Sequence, residues 1–140
     1  MATLTEELLH HNAASTLHAL PENKALKQSW FGDIGKDDFQ EAYQQLFKAI
    51  TTQGVSRLLV DERNMMALST KGRMWLVTKF ARREGKPALQ QLQRVAIIKA
   101  RSVFAATLTK LIFKSLSGIS TFEYVYFDDE SQALTWLGAA

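Results

Sequence analysis

Arg57-Leu58-Leu59-Val60-Asp61 decides the fold: a continuous apolar run of strand length, closed by an acid and followed by Glu62-Arg63. A run without polar alternation suits a strand buried on both faces, as in a parallel sheet covered by helices. Arg94-Val95-Ala96-Ile97-Ile98 repeats the pattern. Between the two, the sequence predicts a helix from about Thr70 to Glu84, with Ser69 or Thr70 as N-cap and Gly85-Lys86-Pro87 as its stop. The two runs are thus expected to be parallel strands joined by a helical crossover.

Working outward, Phe39, Ala42, Tyr43, Leu46, Phe47 and Ile50 fall on one stripe of a helix from Asp37 to Thr52. Asp37 and Asp38 stand at its positive end, and Gln53-Gly54 closes it. Ahead of it, Ser15 to Leu20 and Lys24 to Phe31 flank Pro21-Glu22-Asn23, a turn composition that predicts a hairpin. After the second apolar run comes a helix from about Val103 to Leu116, with Phe104, Leu108, Leu111 and Ile112 expected to face inward. A strand over Phe122 to Phe127 follows, and Asp128-Asp129-Glu130 opens a last helix. The order ββαβαβαβα predicts a single α/β domain over residues 1–140 with right-handed crossovers. Its sheet should be mostly parallel, with about five strands, an N-terminal antiparallel hairpin and about four covering helices. Residues 1–13 read as an N-terminal extension.

The pattern resembles the SpoIIAA-like fold, in particular bacterial STAS/SEC14-type domains. The residues that carry the resemblance are Leu58-Leu59-Val60-Asp61 with Arg63, the Arg94 to Ile98 strand, and the ending Tyr126-Phe127-Asp128-Asp129-Glu130-Ser131-Gln132-Ala133-Leu134-Thr135-Trp136-Leu137. It covers about Ser15 to Leu137. The resemblance implies a regulatory or lipid-binding module without a catalytic centre. It also implies, for the anti-anti-sigma regulators among such domains, a kinase partner and a phosphorylated serine at the start of the helix after a central strand. Their Asp-Ser-Ser-Gly signature is not present here; the nearest positions are Ser69-Thr70-Lys71-Gly72, which the sequence places a longer loop away from Asp61. Ser69 and Thr70 are the candidate phosphorylation sites.

Composition narrows the chemistry. The 140 residues contain no cysteine, which removes disulfides, zinc-thiolate sites and thiol nucleophiles, and fits a reducing compartment. The N-terminal MATLTEELLHHN carries Glu6 and Glu7 and lacks the basic and apolar regions of a secretory signal, so the expected location is cytoplasmic. No apolar run approaches the roughly 20 residues of a membrane span. The three histidines, His10, His11 and His18, share no ligand spacing with a carboxylate, and they read as surface or edge residues. Asp61-Glu62 with Arg63 reads as an ion-paired loop, since neither a phosphate-cradling glycine loop nor a nucleophile elbow accompanies it. No metal, nucleotide or other cofactor is expected, and no enzymatic activity.

The charge is lopsided. Lys71 to Lys114 holds eleven basic residues against the single acid Glu84, whereas the rest of the chain holds six bases and thirteen acids. In the second helix Met74, Val77, Thr78 and Ala81 make the expected buried stripe, and Trp75 projects with Lys71, Lys79 and Arg82. Phe113 repeats the arrangement with Lys110 and Lys114. Either Trp75 anchors an interface or it covers the sheet while basic side chains stack on it. The candidate binding surface is therefore Lys71, Trp75, Lys79, Arg82, Lys110 and Lys114, and its expected partner an acidic protein, an anionic lipid or a second copy of the chain. Nucleic acid is disfavoured, because no recognised binding motif accompanies the charge.

Overall fold

The computed structural model describes residues 6–138. Its elements run β1 (Glu7–His11), β2 (Ser15–Leu20), β3 (Ala25–Ile34), α1 (Lys36–Gln53), β4 (Arg57–Leu68), α2 (Thr70–Thr78), α3 (Lys86–Gln91), β5 (Arg94–Ile98), α4 (Val103–Ile119), β6 (Glu123–Phe127) and α5 (Glu130–Gly138). The six strands lie in chain order across one sheet. β1, β2 and β3 are antiparallel, and β3 through β6 are parallel. Each parallel crossover steps one strand in the same direction with the same hand, so α1 to α4 collect on one face of the sheet. That leaves α5 to cover part of the other face.

The two apolar runs do what their composition predicts. Leu58 and Val60 enter the large core under α1 to α4, and Leu59 enters the smaller core with Ala133 and Leu137 of α5. Val60 pairs with Ile97 in adjacent parallel strands, and Ile97 is fully buried. Under the helices Trp30, Phe39 and Tyr43 stack at centroid distances of 4.8 to 5.5 Å. Gly72 lets α2 approach α1 there: a Cβ on it would stand 2.9 Å from the Phe39 ring. Gly54, at φ +66°, ends α1 in the left-handed conformation that a side chain disfavours.

Three features differ from the sequence expectation. Glu7–His11, expected within an extension, forms the edge strand β1 on β2, with a bulge between Leu8 and His10; residues 1–5 of that extension lie outside the described residues. β4 does not stop at Asp61 but continues to Leu68, because β3 keeps pairing with it through Ile34↔Leu68. The helix expected from Thr70 to Glu84 ends at Thr78 and gives way to a 3-10 turn over Phe80–Arg82, followed by the short α3 with Pro87 in its first turn, where proline lacks no needed N–H.

Ile97→Ala should cost about 2 to 5 kcal/mol, the sum of lost transfer energy and a residual cavity, measured by denaturant unfolding. A loss below about half a kcal/mol would mean that the β4–β5 pair is not the packed centre described here.

Candidate functional site

The end of β4 is where the sheet becomes polar, and strand alternation sorts its charges onto opposite faces. Asp61 and Arg63 point to the α5 side. Arg63 donates Nε to Asp61 Oδ1 at 3.0 Å and Nη2 to Oδ2 at 2.7 Å, a bidentate pair, and its backbone N–H donates to Oδ1 as well. Burial by itself would raise the Asp61 pKa, but these bonds and the Arg63 charge, with Lys27 adding to them, hold it below the ordinary value. Glu130 at the start of α5 joins the group, 2.9 Å from Lys27 Nζ and 3.5 Å from Arg63 Nη2. The ion pair expected from the sequence is present, but on a strand rather than a loop, and Glu62 takes no part in it.

Glu62 points the other way, under α4, and is 2% exposed. It lines a cavity of about 50 Å³ with Thr109, Tyr126, Lys99 and Lys110. Glu62 Oε1 and the Tyr126 hydroxyl are both buried without a hydrogen-bond partner. Leaving such groups unpaired costs roughly 1 to 3 kcal/mol apiece, so the arrangement calls for a function or for bound water. Burial raises the Glu62 carboxyl, the Thr109 hydroxyl draws it partly back, and the Asp61 charge adds to the rise; the result is about 8, against an ordinary 4.5. Tyr126 is raised too, by burial first and by Glu62 second. The sequence offered no sign of this cluster, because its members lie on three elements that only the sheet brings together.

The basic surface survives in part. Lys71, Lys79, Arg82, Lys110 and Lys114 are all exposed. Trp75 is half-buried, packs on the large core and stacks on Phe80 at 4.7 Å, which favours its role as a cover over the core. Around α2 the buried residues are Gly72 and Leu76, and Met74 is exposed, so the expected stripe is rotated. α4 is rotated as well. Ala105, Thr109, Ile112, Phe113 and Leu116 face inward, with Phe113 against Tyr124, whereas Phe104 and Leu111, expected inside, are exposed. α4 is apolar around most of its girth, and the positions of Lys110 and Lys114 were the better guide to its outer face.

Ser69 directly follows β4 and caps α2, its Oγ accepting from the Gly72 N–H at 3.1 Å. The long loop expected between Asp61 and Ser69 is absent, since those residues are the strand's own extension. Thr70 is exposed. Nearby, Lys71 shares a shallow surface hollow with Lys36, Asp37 and Asp38 at the start of α1. Among the described residues, no group of three or more His, Asp or Glu is placed to hold a metal ion.

A SpoIIAA-like family profile matches residues 26–138, which runs from β3 to the end of α5. The chain belongs to the SpoIIAA-like family. Comparison with curated proteins finds no match. Among solved structures, this SpoIIAA-like chain is similar to an uncharacterised DUF3478-family protein with a SpoIIAA-like fold from Shewanella loihica PV-4, at 18% identity and TM-score 0.56 over 98% of both chains. It is also similar to SiaC of Pseudomonas aeruginosa, at 13% identity and TM-score 0.50 over 88% of this chain and 99% of that one. Likeness at these identities shows the shared fold. No helix among the described residues is long and apolar enough to cross a membrane.

Glu62 sets a pH dependence with a definite sign. Its folded pKa lies above its unfolded one, so the stability present below the ordinary value of 4.5 is lost as pH rises toward about 8. Glu62→Gln removes the ionisation and should flatten this slope: nearly equal melting temperatures near pH 5, and a higher one for the variant above about pH 8. Trp75→Ala should lower stability by on the order of 2 kcal/mol by denaturant unfolding; an unchanged midpoint would restore Trp75 as a surface anchor.

Proposed function

We propose that this SpoIIAA-like domain is a noncatalytic binding module that meets an acidic protein through the outer face of α4 and the neighbouring surface of α2. The observation that carries the reading is the make-up of α4. Val103 is 81%, Phe104 63% and Leu111 45% exposed, and Lys110 and Lys114 are exposed beside them on the same helix. An apolar centre rimmed by one sign of charge is the anatomy of a protein interface, with the charges steering encounter and the apolar groups supplying affinity. Lys71, Lys79 and Arg82 extend the basic rim from α2 and the turn after it. The half-buried Trp75 weighs against an aromatic anchor seated in lipid, which is why an acidic protein is preferred over an anionic membrane; a symmetric contact with a second copy would set this basic rim against itself.

A second reading has its own support. Ser69, at the junction of β4 and α2, is at the start of the helix after a central strand, the kind of place the family resemblance implies for a phosphorylated serine, although the Asp-Ser-Ser-Gly signature is absent; a phosphate there or on Thr70 would add negative charge at a helix N-terminus, which favours it. Phosphorylation of Ser69 or Thr70 would then govern the partner bound at α4. Intact-mass analysis of the chain from native cells tests this directly: a species one phosphate heavier, mapped to either residue, supports the switch, and its absence under all growth conditions removes it.

The docking reading is tested by photo-crosslinking from position 111 in native cells. A discrete acidic-protein adduct is expected from the otherwise unaltered chain, and its loss when Lys110 and Lys114 are both changed to Glu. The melting temperature of the reversed variant should stay close to the original, since exposed charges contribute about 0 to 1 kcal/mol. Flotation with phosphatidylglycerol vesicles would instead assign the face to lipid, and a concentration-dependent dimer lost in the variant would assign it to a second copy.

A further inference from the structure

The cavity beside Glu62 lies under α4 at the C-terminal ends of β5 and β6, where β4 runs on past β5; the carboxyl ends of strands are where open α/β sheets bind ligands. Its wall is made by β4 (Glu62), α4 (Thr109 and Lys110), β6 (Tyr126) and the segment after β5 (Lys99). At about 50 Å³ it has room for a few waters or for a small polar group. Two of its polar atoms, Glu62 Oε1 and the Tyr126 hydroxyl, have no partner, and Glu62 itself is 2% exposed. A buried carboxyl with an orphan oxygen facing a cavity is uncommon in a folded protein and marks a place where something else completes the hydrogen bonding.

The charges indicate what chemistry the cavity suits. Lys99 and Lys110 both line the cavity and bring two positive charges to its neighbourhood, Lys99 Nζ standing 3.1 Å from Asp128. They repel a cation and attract an anion. Inside, Tyr126 has a hydroxyl proton to give, and Glu62 has one when it is neutral. The Thr109 hydroxyl has one proton to give and lies within reach of both the Ala106 carbonyl, at 3.2 Å, and the Glu62 carboxyl; when it donates to the carboxyl, a neutral Glu62 carries its own proton on the unpartnered oxygen, Oε1. We propose that this cavity receives a carboxylate group, bound by the Tyr126 hydroxyl and the Glu62 carboxyl and flanked by Lys99 and Lys110. A flat two-oxygen anion matches the two unpartnered atoms and the small volume. Its source is either a free short-chain carboxylic acid or an Asp or Glu side chain of the acidic partner; the second version rests on the α4 docking reading, and the first does not.

Occupation is coupled to the proton on Glu62. The groups around that carboxyl are Tyr43 from α1, Thr109 and Lys110 from α4, Tyr126 from β6, and Lys99, ion-paired to Asp128; Asp61, on the opposite face of the sheet, acts on it through its charge alone. The carboxyl's raised pKa keeps it neutral and donating near pH 7, and ionisation would set two carboxylates against each other. Binding should therefore weaken as pH rises through about 8.

The test is an NMR titration of the full chain with sodium acetate, against sodium chloride at equal ionic strength. Saturable shifts at Thr109, Tyr126 and Lys99 with acetate alone are expected. Tyr126→Phe should weaken binding roughly tenfold or more, the size of a lost hydrogen bond to a charged group. Raising the pH from about 6.5 to about 9 should weaken binding to the parent protein, whereas Glu62→Gln, which keeps a donor at both values, should lose that pH dependence. A glutamate-rich peptide in place of acetate separates the sources: tighter binding of the peptide assigns the site to a partner's side chain, and equal or tighter binding of acetate assigns it to a free acid. Identical shifts with chloride, undiminished binding to Tyr126→Phe, or a cavity that holds only water would overturn the proposal. Neither substitution touches the exposed α4 residues, so crosslinking at position 111 reports on the docking reading separately.

Discussion

The pairing of β4 with β3 along nearly its whole length is the constraint on which the rest depends. From Ala25↔Arg57 to Ile34↔Leu68 the two strands run in parallel register, broken only by shifts after Ser29 and at Gly32. The first half of β4 is also paired to β5 and is buried on both faces. Its second half extends past the end of β5, and there the strand carries Glu62, Arg63 and Asn64 instead of apolar residues. Glu62 and Arg63 there meet the polar groups of the neighbouring elements.

Alternation along the extension divides two kinds of electrostatics by the thickness of the sheet. On the α5 side, Asp61 is compensated by Arg63 in bidentate geometry, and Glu130 and Lys27 tie α5 to the same cluster. That face is closed: its buried charge is paired and hydrogen-bonded, the condition under which buried charge is tolerated. On the helical side Glu62 has only the Thr109 hydroxyl and the protons it can hold itself. That face is open, and its energetic deficit is what a ligand could relieve.

The helical layer supplies a second, separate surface. α4 rests on the sheet through Ala105, Thr109, Ile112, Phe113 and Leu116, leaving Val103, Phe104 and Leu111 outside with Lys110 and Lys114. Lys110 belongs to both the outer rim and the cavity lining. The proposed interface and the proposed anion site are therefore neighbours, linked through one turn of one helix, while Ser69 at the start of α2 marks the far end of the same β4 extension.

By itself the sequence determined the order of elements from β2 onward, apart from the break between α2 and α3, together with the parallel pairing of the central strands and the location of the cores. Continuous runs such as Leu58-Leu59-Val60 and Val95-Ala96-Ile97-Ile98 can be satisfied only between two covered faces, and the α1 stripe from Phe39 to Ile50 has one buried side. It also located the excess of basic charge between Lys71 and Lys114, since charge is a property of composition. What it left open was rotation and extent. α4 and α2 are apolar on more than one side, so periodicity does not choose among their faces; contact with β4 and the neighbouring helices chooses, and it put Phe113 inside and Phe104 outside. The reach of β4 to Leu68 was equally hidden, because the four polar residues Asp61-Glu62-Arg63-Asn64 separate Met65-Met66-Ala67-Leu68 from the apolar run before them; long-range backbone pairing with β3 holds the whole stretch extended. The Glu62 cavity is the extreme case. Its residues are separated by up to sixty-four positions in the chain, and only the packing of α4 over the middle of β4 and the ends of β5 and β6 makes them one site.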